Sequence, residues 1–391
     1  MLIALVTLLA LGQGPAVAHT VLVGLDGSEH AADPAKLDTP DPRALGAWRV
    51  RFESAEQPRL AAASARARLW SGESVFGEVK GGRQETLVMG IAGGVGLTVD
   101  LEELDELRFP ARVPDLWSRP IEPAAEGDRI YRRSREALDV LEGGVEAFSS
   151  DGLVFHDTRV GSKSIPWSEV AALFLDRATG REHKPRAPEG VPVALDLDDG
   201  GRLRGGLVHL GPQGVELRRA RDEHLLLPLA SLLLLSVEDG RLAFLSEIAP
   251  SASAPAAPFG DDLGMSWPQR ADSCVTGGPL RAGGRRWARG IGAHAPSRAS
   301  WKLEPGWKSL GGSVAIDDGT SELAARGSAV FRVRLDGRLA WQSELVRGGE
   351  APRSLPAIEL KDAHELVLEV DDGGDGFAGD RADWLELVLA R

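Results

Sequence analysis

The chain has 391 residues, 43% of them hydrophobic, and a formal net charge of −13, so it can bury sizeable cores but has the wrong sign for nucleic acid or an anionic membrane. It has no asparagine, which excludes N-x-Ser/Thr glycosylation. Its one cysteine, Cys274, excludes an internal disulfide and a multi-thiolate zinc site. That thiol is expected to be buried as a small apolar group.

The amino terminus opens with an apolar run, Leu2 to Leu11, and reaches Ala16-Val17-Ala18 before His19. A short apolar core ending in A-x-A predicts a secretory signal peptide over 1–18 and a secreted, periplasmic or cell-surface protein. The segment lacks Lys and Arg, so a misplaced start or an amino-terminal anchor is the alternative. No segment reaches the ~20 apolar residues of a membrane-spanning helix. The nearest, Leu225 to Leu235, is interrupted by Pro228 and Ser231 and reads as buried strand.

Beyond the leader, apolar runs are short and bounded by pairs such as Asp151-Gly152 and Asp239-Gly240, a pattern of strands and tight turns. The fold class is all-β. Segments 99–109, 165–175 and 227–237 carry apolar residues at the same five places. Upstream, without gaps, Leu87, Leu153 and Val215 align, then Gly77, Gly143 and Gly205. One supersecondary unit used three times accounts for this. The expected domains are small SH3-like or Sm-like barrels at 19–115, 128–184 and 190–249. They lack the basic loops and exposed aromatics of RNA-binding barrels, so a structural role, or docking to other envelope proteins, is expected. Pro250-Ser-Ala-Ser-Ala-Pro-Ala-Ala-Pro258 reads as a linker. A separate domain is expected over 259–391.

That last third holds six of the ten tryptophans. Gly290-Ile-Gly-Ala-His-Ala-Pro-Ser297 resembles the G-x-G-x-H-x-x-S signature of the NPCBM domain, a carbohydrate-binding module attached to glycoside hydrolases such as family 98. Gly312-Ser-Val-Ala-Ile-Asp317, Ser328 to Gly337, and Leu366 to Gly376 with Gly379 to Trp384 resemble three further elements of that family, in order. Two departures stand out. Arg381 replaces the family's histidine before A-D-W, and the G-x-D element has an extra residue.

The resemblance implies a galactose-binding-like β-sandwich, or jelly roll, that binds carbohydrate, galactose-type sugars among the candidates. Trp287 is the expected stacking platform, because sugar C–H faces pack on aromatic rings. Arg289, with Arg285 and Arg286, would donate to vicinal hydroxyls or an acidic sugar. His294, Ser297 and Asp317 complete the candidate set; for His294 the alternative is a structural hydrogen bond, and for Ser297 a tie within its loop. Asp371, Asp372, Asp375, Asp380 and Asp383 crowd into thirteen residues, a density of hard oxygen donors that suits calcium, with solvated turns as the alternative. No nucleophile elbow, zinc-protease or phosphate-loop motif is present, so a non-catalytic protein is expected. The competing function is an envelope scaffold that binds protein and no sugar.

Overall fold

A computed structural model describes residues 17–54, 65–157, 159, 161–176, 189–219, 222–255 and 266–391. Among them, regular structure is strand and 3-10 turn, and the fold is all-β. No helix among the described residues is long and apolar enough to cross a membrane. The expected leader, 1–18, lies outside the described residues except for its last two, which open the first strand.

The chain begins with β1 (Val17–Val23), β2 (Glu29–Ala32) and β3 (Arg49–Ser54). Three five-stranded units follow. The first is β4 (Ala65–Leu69), β5 (Ser74–Arg83), β6 (Thr86–Gly90), β7 (Gly96–Asp100) and β8 (Leu104–Arg108). The second is β9 (Asp128–Ser134), β10 (Ala137–Phe148), β11 (Gly152–Asp157), β12 (Gly161–Pro166) and β13 (Val170–Phe174). The third is β14 (Val191–Leu197), β15 (Arg202–Gly211), β16 (Gly214–Arg218), β17 (His224–Leu227) and β18 (Leu232–Val237). In each, four strands form an antiparallel meander and the fifth returns to pair with the first.

The aligned glycines serve this plan. Gly77, Gly143 and Gly205 lie in the long second strand, where a Cβ would stand 2.1 Å from Gly90 O, 1.8 Å from His156 O and 2.6 Å from Arg218 O. Just beyond, the register shifts at Val79/Gly81, Val145/Ala147 and Leu207/His209. Such a bulge bends the strand so that it can serve two neighbours. Leu87, Leu153 and Val215, on the third strands, are fully buried in a common core.

Two boundaries differ from the sequence expectation. Residues 17–54 do not join the first unit: β3 pairs with β18 of the third, with Val50 opposite Leu235. The segment 250–258 is not simply a linker, because β20 (Ala252–Ala254) is a strand of the carboxy-terminal sandwich, paired with Arg298 to Ser300. Exposed Ala and Ser side chains carry no apolar alternation, so this edge strand left no signal in the sequence. β19 (Leu242–Phe244), placed by expectation in the third barrel, also pairs with the sandwich.

The remaining strands are β21 (Arg270–Ala271), β22 (Leu280–Ala282), β23 (Arg285–Trp287), β24 (Gly290–His294), β25 (Ser297–Lys302), β26 (Ser309–Ile316), β27 (Ser328–Leu335), β28 (Arg338–Gln342), β29 (Val346–Arg347), β30 (Arg353–Glu359), β31 (Glu365–Asp371) and β32 (Arg381–Ala390). One sheet runs β21-β24-β32-β26-β30, with β19 on β32; the other runs β20-β25-β31-β27-β28. Their inner faces enclose Trp301, Leu310, Val314, Phe331, Leu368 and Trp384. Trp384 meets Phe331 edge to face at 5.0 Å. A two-stranded hairpin, β22–β23, covers part of the outer face of the first sheet through Leu280, Ala282 and Trp287, against Ala315 and Leu385.

Candidate functional site

Strand pairing gathers one set of loops at one end of the sandwich. His294 at the end of β24 lies opposite Arg381 at the start of β32, Ile316 opposite Ala382, and Ser297 opposite Val370. The turn at 294–297, the turn after Asp317 and the loop at 371–381 therefore share that end.

His294 is buried, and its Nδ1 lies 2.8 Å from Ala295 O. A carbonyl only accepts, so Nδ1 carries the proton and Nε2 is left as an acceptor. Burial, reinforced by the charge of Arg381, lowers the imidazole pKa and keeps the ring neutral. The half-buried Trp267 stacks on it, centroids 4.5 Å apart and planes within 15°. Nearby, Ser297 is buried and its hydroxyl has no hydrogen-bond partner among the described residues. Asp380 is 1% exposed; its Oδ1 accepts from Ser328 N–H at 2.8 Å, while its Oδ2 has no such partner. Burial, with the charges of Asp375 and Asp372, raises its pKa to about 7. Arg381 is half-buried and its guanidinium forms no ion pair among the described residues.

Asp317 also lies at this end, in a structural role. Its Oδ1 accepts from Gly319 N–H at 2.9 Å and its Oδ2 from Arg281 N–H at 3.2 Å, tying the β22–β23 hairpin to the turn.

Trp287 and Arg289 lie elsewhere, and the sequence expectation for them is corrected. Trp287 is 4% exposed, its Nε1 donates to Ala282 O, and the guanidiniums of Arg285 and Arg51 lie 3.8 and 5.0 Å from the ring centroid. No face is left for a sugar. Arg289 is buried with Asp196, its Nε 3.1 Å from Oδ2, and with Asp272 at 2.6 Å. The arginines around Trp287 contact partners far away in sequence: Arg285 pairs with Glu53, and Arg286 donates to Asp198 O. Their local clustering gave no hint of those partners.

The five aspartates do not form the single calcium site expected. Asp371 pairs with Arg332 at 2.7 Å, Asp372 accepts from Gly374 N–H, Asp375 accepts from Ser328 Oγ, and Asp383 is fully buried facing Asp317. Among the described residues, no group of three or more His, Cys, Asp or Glu side chains is arranged to hold a metal ion.

The paired sheets, the G-x-G-x-H-x-x-S turn and the closing D-W strand now stand together in one domain, and the NPCBM/NEW2 family model matches residues 247–390. This stretch is an NPCBM/NEW2 domain. The match, like the pairing of β20 with β25, begins before the boundary expected at 259. Alpha-1,3-galactosidase B of Akkermansia muciniphila is 33% identical over 123 residues, which is 30% of this chain and 15% of that protein. The chain therefore spans only a small part of that relative's length. Among solved structures, a CBM51 module of a Clostridium perfringens GH95 protein, in complex with methyl-galactose, is 22% identical with a TM-score of 0.33, covering 38% of this chain and 99% of that one. CBM51-2 with the INT domains of Clostridium perfringens ZmpB, in complex with GlcNAc, is 21% identical with a TM-score of 0.35, covering 45% and 36%.

Two residues of the NPCBM end escaped the sequence reading. Trp267 was only one tryptophan among six, and its stacking on His294 is a contact across 27 positions. Arg381 was visible as a departure from the family pattern but had no assigned contact.

Proposed function

We propose that the NPCBM domain binds carbohydrate at the end built by Trp267, His294, Ser297, Asp380 and Arg381, and that the protein acts as a non-catalytic, exported glycan-binding protein. The observation that carries this reading is the half-exposed Trp267, backed by the neutral His294, beside a buried hydroxyl and a buried carboxylate oxygen with no partner. An aromatic face takes the C–H side of a sugar ring, and convergent polar groups take its hydroxyls. Galactose-bearing glycans are the first to test, since galactose is the sugar in the similar galactosidase's name. The amino-terminal units, which we read as SH3-like or Sm-like barrels, would then serve as spacers or docking units for the module.

In a titration of the full chain with a galactose-bearing oligosaccharide, Trp267→Ala is expected to weaken binding about tenfold or more. Arg338→Ala, at the exposed β28, is expected to leave it unchanged. Equal affinity in wild type and Trp267→Ala would place the sugar elsewhere. Calcium enters the same experiment: with the five aspartates dispersed, EDTA is expected to leave the affinity as it was. The scaffold reading is favoured instead if no glycan binds and capture of envelope protein survives Trp267→Ala.

A further inference from the structure

Residues 17–54 have a strand plan that the rest of the chain explains. β1 pairs on one side with β2 and on the other with β3, as the first strand of each unit pairs with its second and fifth. A 3-10 turn, Pro42–Leu45, precedes β3, as Trp167–Glu169 precedes β13 and Leu229–Ser231 precedes β18. The fifth strands of units one and two pair antiparallel with Leu107 opposite Leu173. β18 pairs with β3 in the same manner, Leu235 opposite Val50. Leu107, Leu173 and Leu235 occupy the same place in the threefold sequence repeat. Third and fourth strands are missing from this segment, and 3-10 turns stand in their stead.

The outward row of β3 points at the sandwich. Val50 and Phe52 face the common core, so Arg49, Arg51 and Glu53 share the other face. Arg51 lies 3.0 Å and Arg49 3.4 Å from Glu386 of β32, all three side chains being nearly buried, and Glu53 pairs with Arg285. Glu29 of β2 adds a second acceptor for Arg51 at 3.1 Å. Arg51 also lies over Trp287. The sandwich is shaped to meet this row. Glu386 has φ +44 at a bulge opposite Gly312, which turns both Leu385 and Glu386 away from the sandwich core. A non-glycine residue held at positive φ within a strand is strained, and persists where its surroundings fix it.

We infer that residues 17–54 are a fourth, reduced copy of the five-stranded unit, converted into the docking platform for the carboxy-terminal sandwich. The partner of the Arg285–Trp287–Glu386 face is thus the chain's own amino-terminal segment. The third unit extends the junction: Asp196 pairs with Arg289, Arg202 with Glu247, and Leu234 packs on Phe244 and Val388. The sandwich is a fixed part of one body, with the NPCBM end held at a set orientation.

The test is hydrogen exchange on the full chain with Arg49→Ala/Arg51→Ala. Removing both ion-pair partners leaves the buried Glu386 with only the neighbouring charge of Arg285, so amides 285–289 and 386–388 should exchange ~100-fold faster or more. Amides of the second unit, remote from the junction, should keep their wild-type rates. The charge swap Arg51→Glu/Glu386→Arg should recover part of the protection lost in Glu386→Arg alone. Should the double alanine variant not fold, the swap and its two single variants carry the test. Unchanged exchange at 285–289, or a swap no better protected than Glu386→Arg, would overturn the inference.

Discussion

Gly143→Ala is expected to unfold the second unit. A Cβ there would stand 1.8 Å from His156 O and 3.2 Å from Asp157 Cα, both backbone atoms of the paired strand β11, so no side chain can swing aside. The ladder must part at that point, losing hydrogen bonds and opening the core over Leu153 and Phe155, both essentially buried. Overpacking and unmade backbone bonds together cost about 2–5 kcal/mol. Gly144 supplies the control, because a Cβ there meets nothing within 4 Å. Gly144→Ala should shift stability by no more than ~0.5 kcal/mol. Chemical denaturation of the two variants distinguishes them, and equal midpoints would show that the close approach at Gly143 is not what holds the strand pair.

The second large effect is a pH dependence centred on Asp383. Its carboxyl is fully buried, neither oxygen has a donor among the described residues, and it faces Asp317. Burial first, and the Asp317 charge second, raise its pKa well above the ordinary value. Asp317 already accepts two backbone N–H bonds, so Asp383 is the member of the pair that keeps the proton. A carboxyl whose folded pKa is raised takes up a proton on folding. Its contribution is undiminished below the unfolded value near ~4, then falls by ~1.4 kcal/mol per pH unit until the folded value is passed. The contribution of Asp383 to stability should therefore decline as pH rises from about 4, and that of Asp380 declines in the same way up to about pH 7. Asp383→Asn, neutral at every pH and still able to donate to Asp317, should match wild type in acid and exceed it in alkali. Parallel melting curves for the two proteins from pH 4 to 9 would contradict the assignment.

How far the sequence foretold this molecule depended on whether a contact was local. The repeat was legible because each unit places a glycine at the same strand crossing and a leucine or valine at the same buried position, as at Gly143 and Leu153. The turn carrying His294 and Ser297 was legible because its residues are contiguous. Trp287 was misjudged for the opposite reason: its coverage comes from Arg51, 236 positions earlier. The arginines beside it looked like free donors until their acids appeared from β3 and from the third unit. The aspartates at 371–383 were close in sequence, but the loop divides them between two sheets: Asp371 closes β31 and meets Arg332, while Asp383 on β32, between the inward Ala382 and Trp384, is buried on the opposite face under the β22–β23 hairpin. β20 was invisible because alanine and serine at an exposed edge look like a linker.

The measurement that bears most directly on the central claim is a glycan-array screen of the full chain, run beside Trp267→Ala. A reproducible set of galactose-bearing hits, lost in Trp267→Ala and retained in Arg338→Ala, is the result predicted for a carbohydrate-binding end on the NPCBM domain. A blank array from a folded protein, or hits that survive the loss of Trp267, would contradict it.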